Sequence, residues 1–102
     1  MTELLQGDII QIHGYKNLFV VVSKNAYIKH TGRIHVCPLL ASIEPGPLHI
    51  HVSGRQKTGG VVICEQVKYI DPGVRSCTRK DSLYYTDIMN ISDAIQGMLE
   101  YD

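Results

Sequence analysis

Residues 60–71 read GVVICEQVKYID and contain two short runs rich in β-branched and aromatic side chains. Gly60–Cys64 forms the first run and Gln66–Ile70 forms the second, with Glu65 between them. Runs of this length and composition that end at turn residues predict β-strands. An Asp-Pro-Gly turn signal follows at 71–73. This part of the chain therefore predicts two consecutive short strands that meet at an acidic residue.

Four segments nearer the N-terminus show the same pattern and predict four more strands: Asp8–His13, Leu18–Val22, Arg33–Leu40 and Leu48–Val52. The run Leu18–Val22 is continuously apolar, which predicts a central strand buried on both faces. Proline cannot donate to a strand ladder, so Pro38 predicts an edge or a bulge. Apolar residues alternate with histidine in the fourth segment, so we expect Leu48, Ile50 and Val52 to face the core.

Helical signals are few and the longest lies near the C-terminus. One helical turn is expected within Asn25–Gly32. Thr86 is expected to cap the N-terminus of a last helix, and Asp87 suits the positive end of its dipole. The apolar face of this helix is expected to be core and comprises Ile88, Ile91, Ile95, Met98 and Leu99. Six or seven short strands followed by one helix predict a mainly β fold, a small barrel.

Length and composition limit the class of protein. The chain has 102 residues, 44% apolar and 20% charged, which predicts a single globular domain over residues 1–102. The sequence lacks an apolar run long enough to cross a bilayer, and residues 1–7 do not resemble a signal peptide, so we expect a cytoplasmic protein without membrane contact. Three cysteines without Cys-x-x-Cys spacing predict thiols, two of them core residues, Cys37 and Cys64.

The net charge of zero hides an uneven distribution. Residues 55–80 carry six basic and two acidic side chains, whereas 81–102 carry five acidic and no basic ones. This pattern is typical of a phosphate-binding face beside a solvated acidic helix, and equally of ordinary solvated surface. The segment Ser53–Gly60 is basic and glycine-rich, which predicts a mobile loop whose Arg55 and Lys57 contact a single-stranded nucleic acid.

The order of these segments resembles the MazF/PemK family of bacterial toxins over nearly the whole chain. The similarity is carried by Gly7–Ile10, Phe19–Ser23, Val36–Leu39 and Gly60–Asp71. It implies an SH3-like barrel with a C-terminal helix, as in MazF and CcdB, and a homodimer. It also implies an mRNA interferase, an endoribonuclease that cuts single-stranded RNA without a metal or cofactor, paired with an antitoxin that has an acidic tail.

The resemblance also implies which residues act. The family's arginine just before the second strand corresponds to Lys16, and its threonine just after the Cys-Pro-hydrophobic unit corresponds to Leu40. Lys16 keeps the positive charge, whereas Leu40 can neither donate nor accept a proton. We expect Lys16, His13 and Glu65 to be catalytic, with His13 as the acid–base group because histidine is the residue type best suited to proton transfer near neutrality. The RNA-binding set adds Tyr15 and Ser42 to Arg55 and Lys57.

Three alternatives remain at this point. Loss of the threonine and a short loop before the second strand favour a catalytically degenerate module that binds nucleic acid or protein. A toxin of the same fold that poisons gyrase is a further possibility. His49 and His51 share one strand face and, with His35, have the residue types of a metal site, although the resemblance implies no metal.

Overall fold

The computed structural model describes residues 3–44 and 46–100. Seven strands and two helices follow one another along the chain: β1 Asp8–Ile12, β2 Leu18–Val21, α1 Asn25–Thr31, β3 Ile34–Leu40, β4 His49–Ser53, β5 Gly59–Ile63, β6 Lys68–Ile70, β7 Cys77–Ser82 and α2 Tyr85–Leu99. Each strand and helix expected from the sequence is present. With β7 the described residues contain seven strands, the larger of the two expected numbers. Within the described ranges, neither helix is long and apolar enough to cross a bilayer.

The strands form one antiparallel sheet in the order β4-β5-β3-β2-β1-β7, and β6 pairs with β3. Within the described residues the path does not return from β7 to β4, so the sheet is an open barrel and is not closed. The mainly β fold with a C-terminal helix is confirmed. The long strand β3 organises the molecule, because its first half pairs with β6 and its last two residues pair with β5.

The sheet buries side chains on both faces. Ile9, Val20 and Cys37 belong to one apolar cluster, against which Ile88 and Ile95 of α2 pack. The residues next to these along the strands belong to a second cluster that contains Ile28 of α1, namely Ile10, Val21 and Val36. Successive strand residues point to opposite faces, so each strand supplies both clusters. The expectation that β2 is an interior strand buried on both faces is confirmed.

The expectation that Pro38 marks an edge or a bulge is wrong. Strand β3 lies inside the sheet, and Pro38 is in regular register with Phe19 of β2. On the other side of β3, the β6 ladder ends at Val36 and the β5 ladder begins at Leu39. Proline is tolerated because it lies at this change of partner, where a missing N–H removes no regular ladder bond.

The last helix differs from expectation at both ends. It begins at Tyr85 after Tyr84 as N-cap, without a capping side chain, so Thr86 is not the cap. Ile91 is buried and Ile88 and Ile95 are partly buried, as predicted. At the C-terminal end of the helix the exposed fractions are 37% for Met98 and 72% for Leu99. The core assignment of these last two residues is therefore wrong.

Strand β4 follows its predicted pattern. Val52 is buried in the cluster beneath α2, and Leu48 and Ile50 pack against that cluster. The intervening His49 and His51 therefore lie on the opposite face of the sheet. Both histidines therefore point away from the apolar cluster beneath α2.

Candidate nucleic-acid interface

The short loop between β1 and β2 is fixed at its base. The backbone N–H of His13 donates to the carbonyl of Ser76 at 2.9 Å, and Tyr15 N–H donates to the carbonyl of Ile12 at 3.0 Å. Arg75 Nη1 donates to the His13 carbonyl at 3.1 Å. The His13 residue as a whole is exposed. The loop therefore presents this imidazole to solvent from a hydrogen-bonded backbone.

Tyr15 occupies the centre of this surface. Its ring packs edge-on against Phe19, with centroids 5.3 Å apart, and this contact joins it to the apolar cluster of α1. Two cations lie over the same ring, Lys68 Nζ at 5.6 Å and the Arg75 guanidinium carbon at 5.1 Å from its centroid. Cations are attracted by the negative face of an aromatic ring. Tyr15 therefore gathers two positive charges beside His13.

The two positions where this chain departs from the family pattern lie at one end of the sheet. Leu18 and Leu39 are direct partners across β2 and β3. The chain segments beyond this pair carry Lys16 on one side and Leu40 and Ser42 on the other, so the three residues are neighbours at this rim. Lys16 and Ser42 are exposed, and Leu40 is half-buried. The structure thus places Lys16 and Leu40 at the same end of the sheet.

Glu65 is engaged by a histidine. Its Oε1 lies 2.7 Å from His49 Nε2, and His49 Nδ1 lies 2.8 Å from the carbonyl oxygen of Glu44. Both partners accept hydrogen bonds, and only the imidazolium form of histidine can donate from both nitrogens. The Glu44 carbonyl, followed by the Glu65 carboxylate, raises the pKa of His49 above its usual value. Glu65 therefore forms an ion pair rather than standing free.

The His49–Glu65 pair is expected to make stability depend on pH. Because the folded pKa of His49 is raised, its contribution is complete below the unfolded pKa, about 6.5, and is lost as pH rises through the folded value. We expect the difference in melting temperature between wild type and His49→Gln to shrink as pH rises from about 6 to 8. Thermal unfolding at a series of pH values measures it, with His51→Gln, exposed on the same strand, as control. A difference independent of pH would contradict the ion pair.

The possible metal site is not supported. His35 pairs with Tyr69 and lies between the rings of Tyr27 and Tyr69, with centroid distances of 5.3 and 5.5 Å. It is on the α2 side of β3, whereas His49 and His51 face the other side. Across the described residues, no group of three or more possible ligands surrounds a metal position.

The basic loop between β4 and β5 is held in place by Asp81, a buried residue of β7. Its carboxylate accepts the backbone N–H groups of Gln56 at 2.9 Å, Thr58 at 3.0 Å and Ser82 at 2.7 Å. A Cβ on Gly54 would lie 2.3 Å from the carboxylate, so only glycine fits there. The loop expected to be mobile is thus tied down at several backbone positions.

The charge of Asp81 follows from these contacts. Burial by itself would raise the pKa of Asp81, but the donors from Gln56, Ser82 and Thr58 outweigh burial and hold the pKa below its usual value. Asp81 is therefore an ionised structural anchor. It does not belong to a solvated acidic helix, as the charge pattern of residues 81–102 suggested.

The two groups of RNA-binding candidates lie apart within one chain. Arg55 N–H donates to the Ser82 carbonyl, and Ser82 pairs with Asp8 at one end of the β1–β7 ladder. His13 and Tyr15 follow Ile12 at the other end, about 13 Å away at roughly 3.3 Å per residue. Arg55 lies 4.7 Å above the ring of Tyr84. The basic β4–β5 loop and the Tyr15 surface are therefore separate patches of one protomer.

Some basic side chains are already neutralised. Arg33 lies 3.5 Å from Asp71, and Arg79 lies 2.7 Å from the buried Asp8. Ion pairs within the described ranges do not include Lys16, Lys68 or Arg75. The positive potential of the Tyr15 surface is therefore not cancelled by a direct carboxylate partner.

The cysteines are free thiols. Burial raises the pKa of Cys37 to about 12 and that of Cys64 to about 11. Both remain protonated near neutrality and belong to the core, as predicted, since the thiolate is the reactive form. Neither is a nucleophile in this fold.

Sequence reasoning missed the partners of the candidate residues. Lys68 and Arg75 counted only toward net charge, and Asp81 only toward the acidic C-terminal segment. His49 was assigned to a possible metal site, and its contact with Glu65 spans 16 residues. The one available signal for Lys68 was its position in the basic strand after Glu65.

The sequence matches a family model described as PemK-like, MazF-like toxin of type II toxin–antitoxin system, over residues 6–99. The chain belongs to this family. The match spans β1 through α2 and confirms the resemblance seen in the sequence motifs. The MazF-like toxin sequence has no match among curated proteins.

Solved structures share the fold of this MazF-like chain. A MazE–MazF crystal structure from Deinococcus radiodurans aligns with a TM-score of 0.85 at 16% identity, covering 97% of this chain and 98% of that one. An endoribonuclease in complex with its cognate antitoxin, from a mycobacterial species, aligns at 0.78 and 16% identity, covering 97% and 99%. The Mycobacterium tuberculosis toxin MazF-mt6 aligns at 0.70 and 15% identity, covering 93% and 96%.

Proposed function

We propose that this protein is the toxin of a type II toxin–antitoxin system and acts as a metal-independent endoribonuclease on single-stranded mRNA in the cytoplasm. Membership of the MazF-like toxin family is the observation that carries this proposal. The exposed Lys16 at the family's cationic position supports it, as does the cationic surface around Tyr15. One structural neighbour is an endoribonuclease.

Metal-free RNA cleavage needs a base for the ribose 2′-hydroxyl, a cation for the phosphorus centre and an acid for the leaving 5′-oxygen. Lys16 supplies the cation as a point charge, without the two-pronged geometry of arginine. His13 is exposed on a fixed backbone and transfers the proton. Glu65 orients the loop before β4 through His49, which contacts both the Glu65 carboxylate and the Glu44 carbonyl.

The partners follow from the same proposal. Single-stranded RNA is the substrate. An antitoxin with an acidic tail competes with RNA for the cationic surface, because the tail and the RNA are both negatively charged. Two neighbours with similar folds are complexes, one of MazE with MazF and one of an endoribonuclease with its cognate antitoxin, which supports this partner. A homodimer is the assembly we propose. We propose that the RNA lies across the dimer groove and that Lys16, Arg55 and Lys57 contact its phosphates there.

RNA cleavage in excess EDTA tests the proposal. The purified protein is expected to cut single-stranded RNA with a chelator present and to leave a 2′,3′-cyclic phosphate on the upstream fragment, because the proposed attack by the ribose 2′-hydroxyl uses side chains and no metal. Mass spectrometry of the fragments identifies that end group. A protein carrying Lys16→Ala and prepared identically controls for contaminating ribonuclease. Cleavage that disappears with EDTA, or that the control retains, would contradict the proposal.

One observation favours a second candidate, a binding module without catalysis. Leu40 is half-buried beside Lys16 and has no group able to move a proton. A module of this kind would bind RNA or the antitoxin and leave RNA intact. The same assay separates the two candidates, since only the first produces fragments.

A further inference from the structure

The cations held on Tyr15 lack an anion. Lys68 comes from β6 and Arg75 from the segment before β7, so two separate parts of the chain converge on one ring. Bringing two positive charges together costs free energy unless a counter-charge is present. The ion pairs in the described part of the chain supply none to either side chain.

One acidic residue, Asp71, lies close to the two cations but already has other partners. Asp71 lines the same hollow of about 340 Å³ as Tyr15, Lys68 and Arg75. Its carboxylate accepts the N–H of Gly73 at 2.9 Å and lies 3.5 Å from Arg33. The hollow therefore combines two cations with one already neutralised carboxylate.

Arg75 is also held in position by a hydrogen bond to the backbone of the β1–β2 loop. One Nη1–H is used on the His13 carbonyl, and four of its five donors remain. Gly14 makes this approach possible, because it has a φ of +94° and a Cβ there would lie 2.8 Å from Arg75 Nη1. Glycine at position 14 thus leaves the space that the Arg75 guanidinium occupies.

From this geometry we infer that Lys68 and Arg75, positioned by Tyr15, form a clamp for the phosphodiester backbone of single-stranded RNA next to His13. The inference rests on the proposed function and names where the strand lies on the protein. Lysine contacts a phosphate as a point charge and arginine contacts it through paired donors. Val74, 81% exposed, lines the same hollow and offers an apolar contact to a ribose or base. Contacts of this kind recognise the phosphate backbone of the RNA and not its base sequence.

Binding without cleavage tests the clamp. Fluorescence anisotropy with a short single-stranded RNA methylated at every 2′-oxygen measures affinity, because this RNA cannot be cut. We expect Lys68→Gln and Arg75→Gln each to reduce the slope of log affinity against log salt by about 0.7, the value for one phosphate contact on a single strand. Tyr15→Leu should bind more weakly than wild type, because it removes the ring that holds both cations. Lys29→Gln, an exposed lysine of α1, is the matched control.

The outcomes separate this inference from the proposed function. If Arg75→Gln slows cleavage without changing the salt slope, Arg75 only positions the His13 loop and the clamp is refuted. Wild type that binds no methylated RNA, or that binds a polyglutamate peptide instead, also refutes it. Reduced slopes in a protein that never cuts natural RNA would support the clamp and reject the enzyme. Arg75→Lys, which keeps the charge, should retain most of the slope.

Discussion

Replacing Lys16 or His13 with alanine is expected to abolish measurable RNA cleavage by this protein. Loss of a positioned acid or base typically lowers a rate by about 10²–10⁴-fold, and loss of a charge-stabilising donor by about 10²–10³-fold. A site that already has Leu40 in place of a hydroxyl has little activity to lose. Single-turnover cleavage of a labelled RNA, followed by gel electrophoresis, measures these rates. Melting temperatures should stay close to wild type, because both residues are exposed.

The neighbouring leucine offers the complementary gain-of-function experiment. Leu40→Thr should raise the cleavage rate, because the hydroxyl restores a hydrogen-bonding group beside Lys16. Half-burial of Leu40 at the end of β3 leaves room for a smaller polar side chain. Leu39→Thr is the matched control. Leu39 is buried on the other face of the strand, so the hydroxyl that this substitution introduces cannot reach the site. If Leu40→Thr with Lys16→Arg cuts no RNA, and wild type cuts none, the protein is a binding module.

The largest expected effect on stability comes from Asp81. Asp81→Ala removes a buried carboxylate that accepts N–H groups from both the β4–β5 loop and β7. Hydrogen bonds to charged groups contribute about 1.5–3 kcal/mol each and are not additive, so we expect a loss of about 3 kcal/mol in the free energy of unfolding. For a domain of this size that lowers the melting temperature by about 12–24 °C. Urea unfolding or calorimetry at pH 7 measures it.

The pH dependence of this effect identifies its cause. Because the pKa of Asp81 is lowered in the folded protein, its stabilisation is present above the unfolded value, about 3.9, and is lost as pH falls through the folded value. Wild type and Asp81→Ala should therefore converge in stability in acid. Asp93→Ala, an exposed carboxylate of α2, should change stability little. A destabilisation by Asp81→Ala that is equally large in acid would mean that packing rather than charge is responsible.

Local patterns identified most of the fold before any contact was known. Continuous and alternating apolar runs located β1 to β6, because burial on one or both faces leaves a direct mark on each strand. The family motifs located the rim of the sheet that carries Lys16 and Leu40. Errors occurred where an element's surroundings decide the result. Pro38 is tolerated inside the sheet because β3 changes partner there, and Leu99 at the end of α2 is exposed.

By itself the sequence determined the family and the strand pattern, and it led to the expectation that Lys16 takes the place of the family's arginine. Only the tertiary structure decided which side chains meet. Asp81 binds a loop 25 residues before it, His49 pairs with Glu65 across two strands, and Lys68 reaches Tyr15 from a distant strand. Such contacts depend on sheet order and register, and strand periodicity contains neither. The charged surface that we propose for RNA is therefore a product of strand pairing.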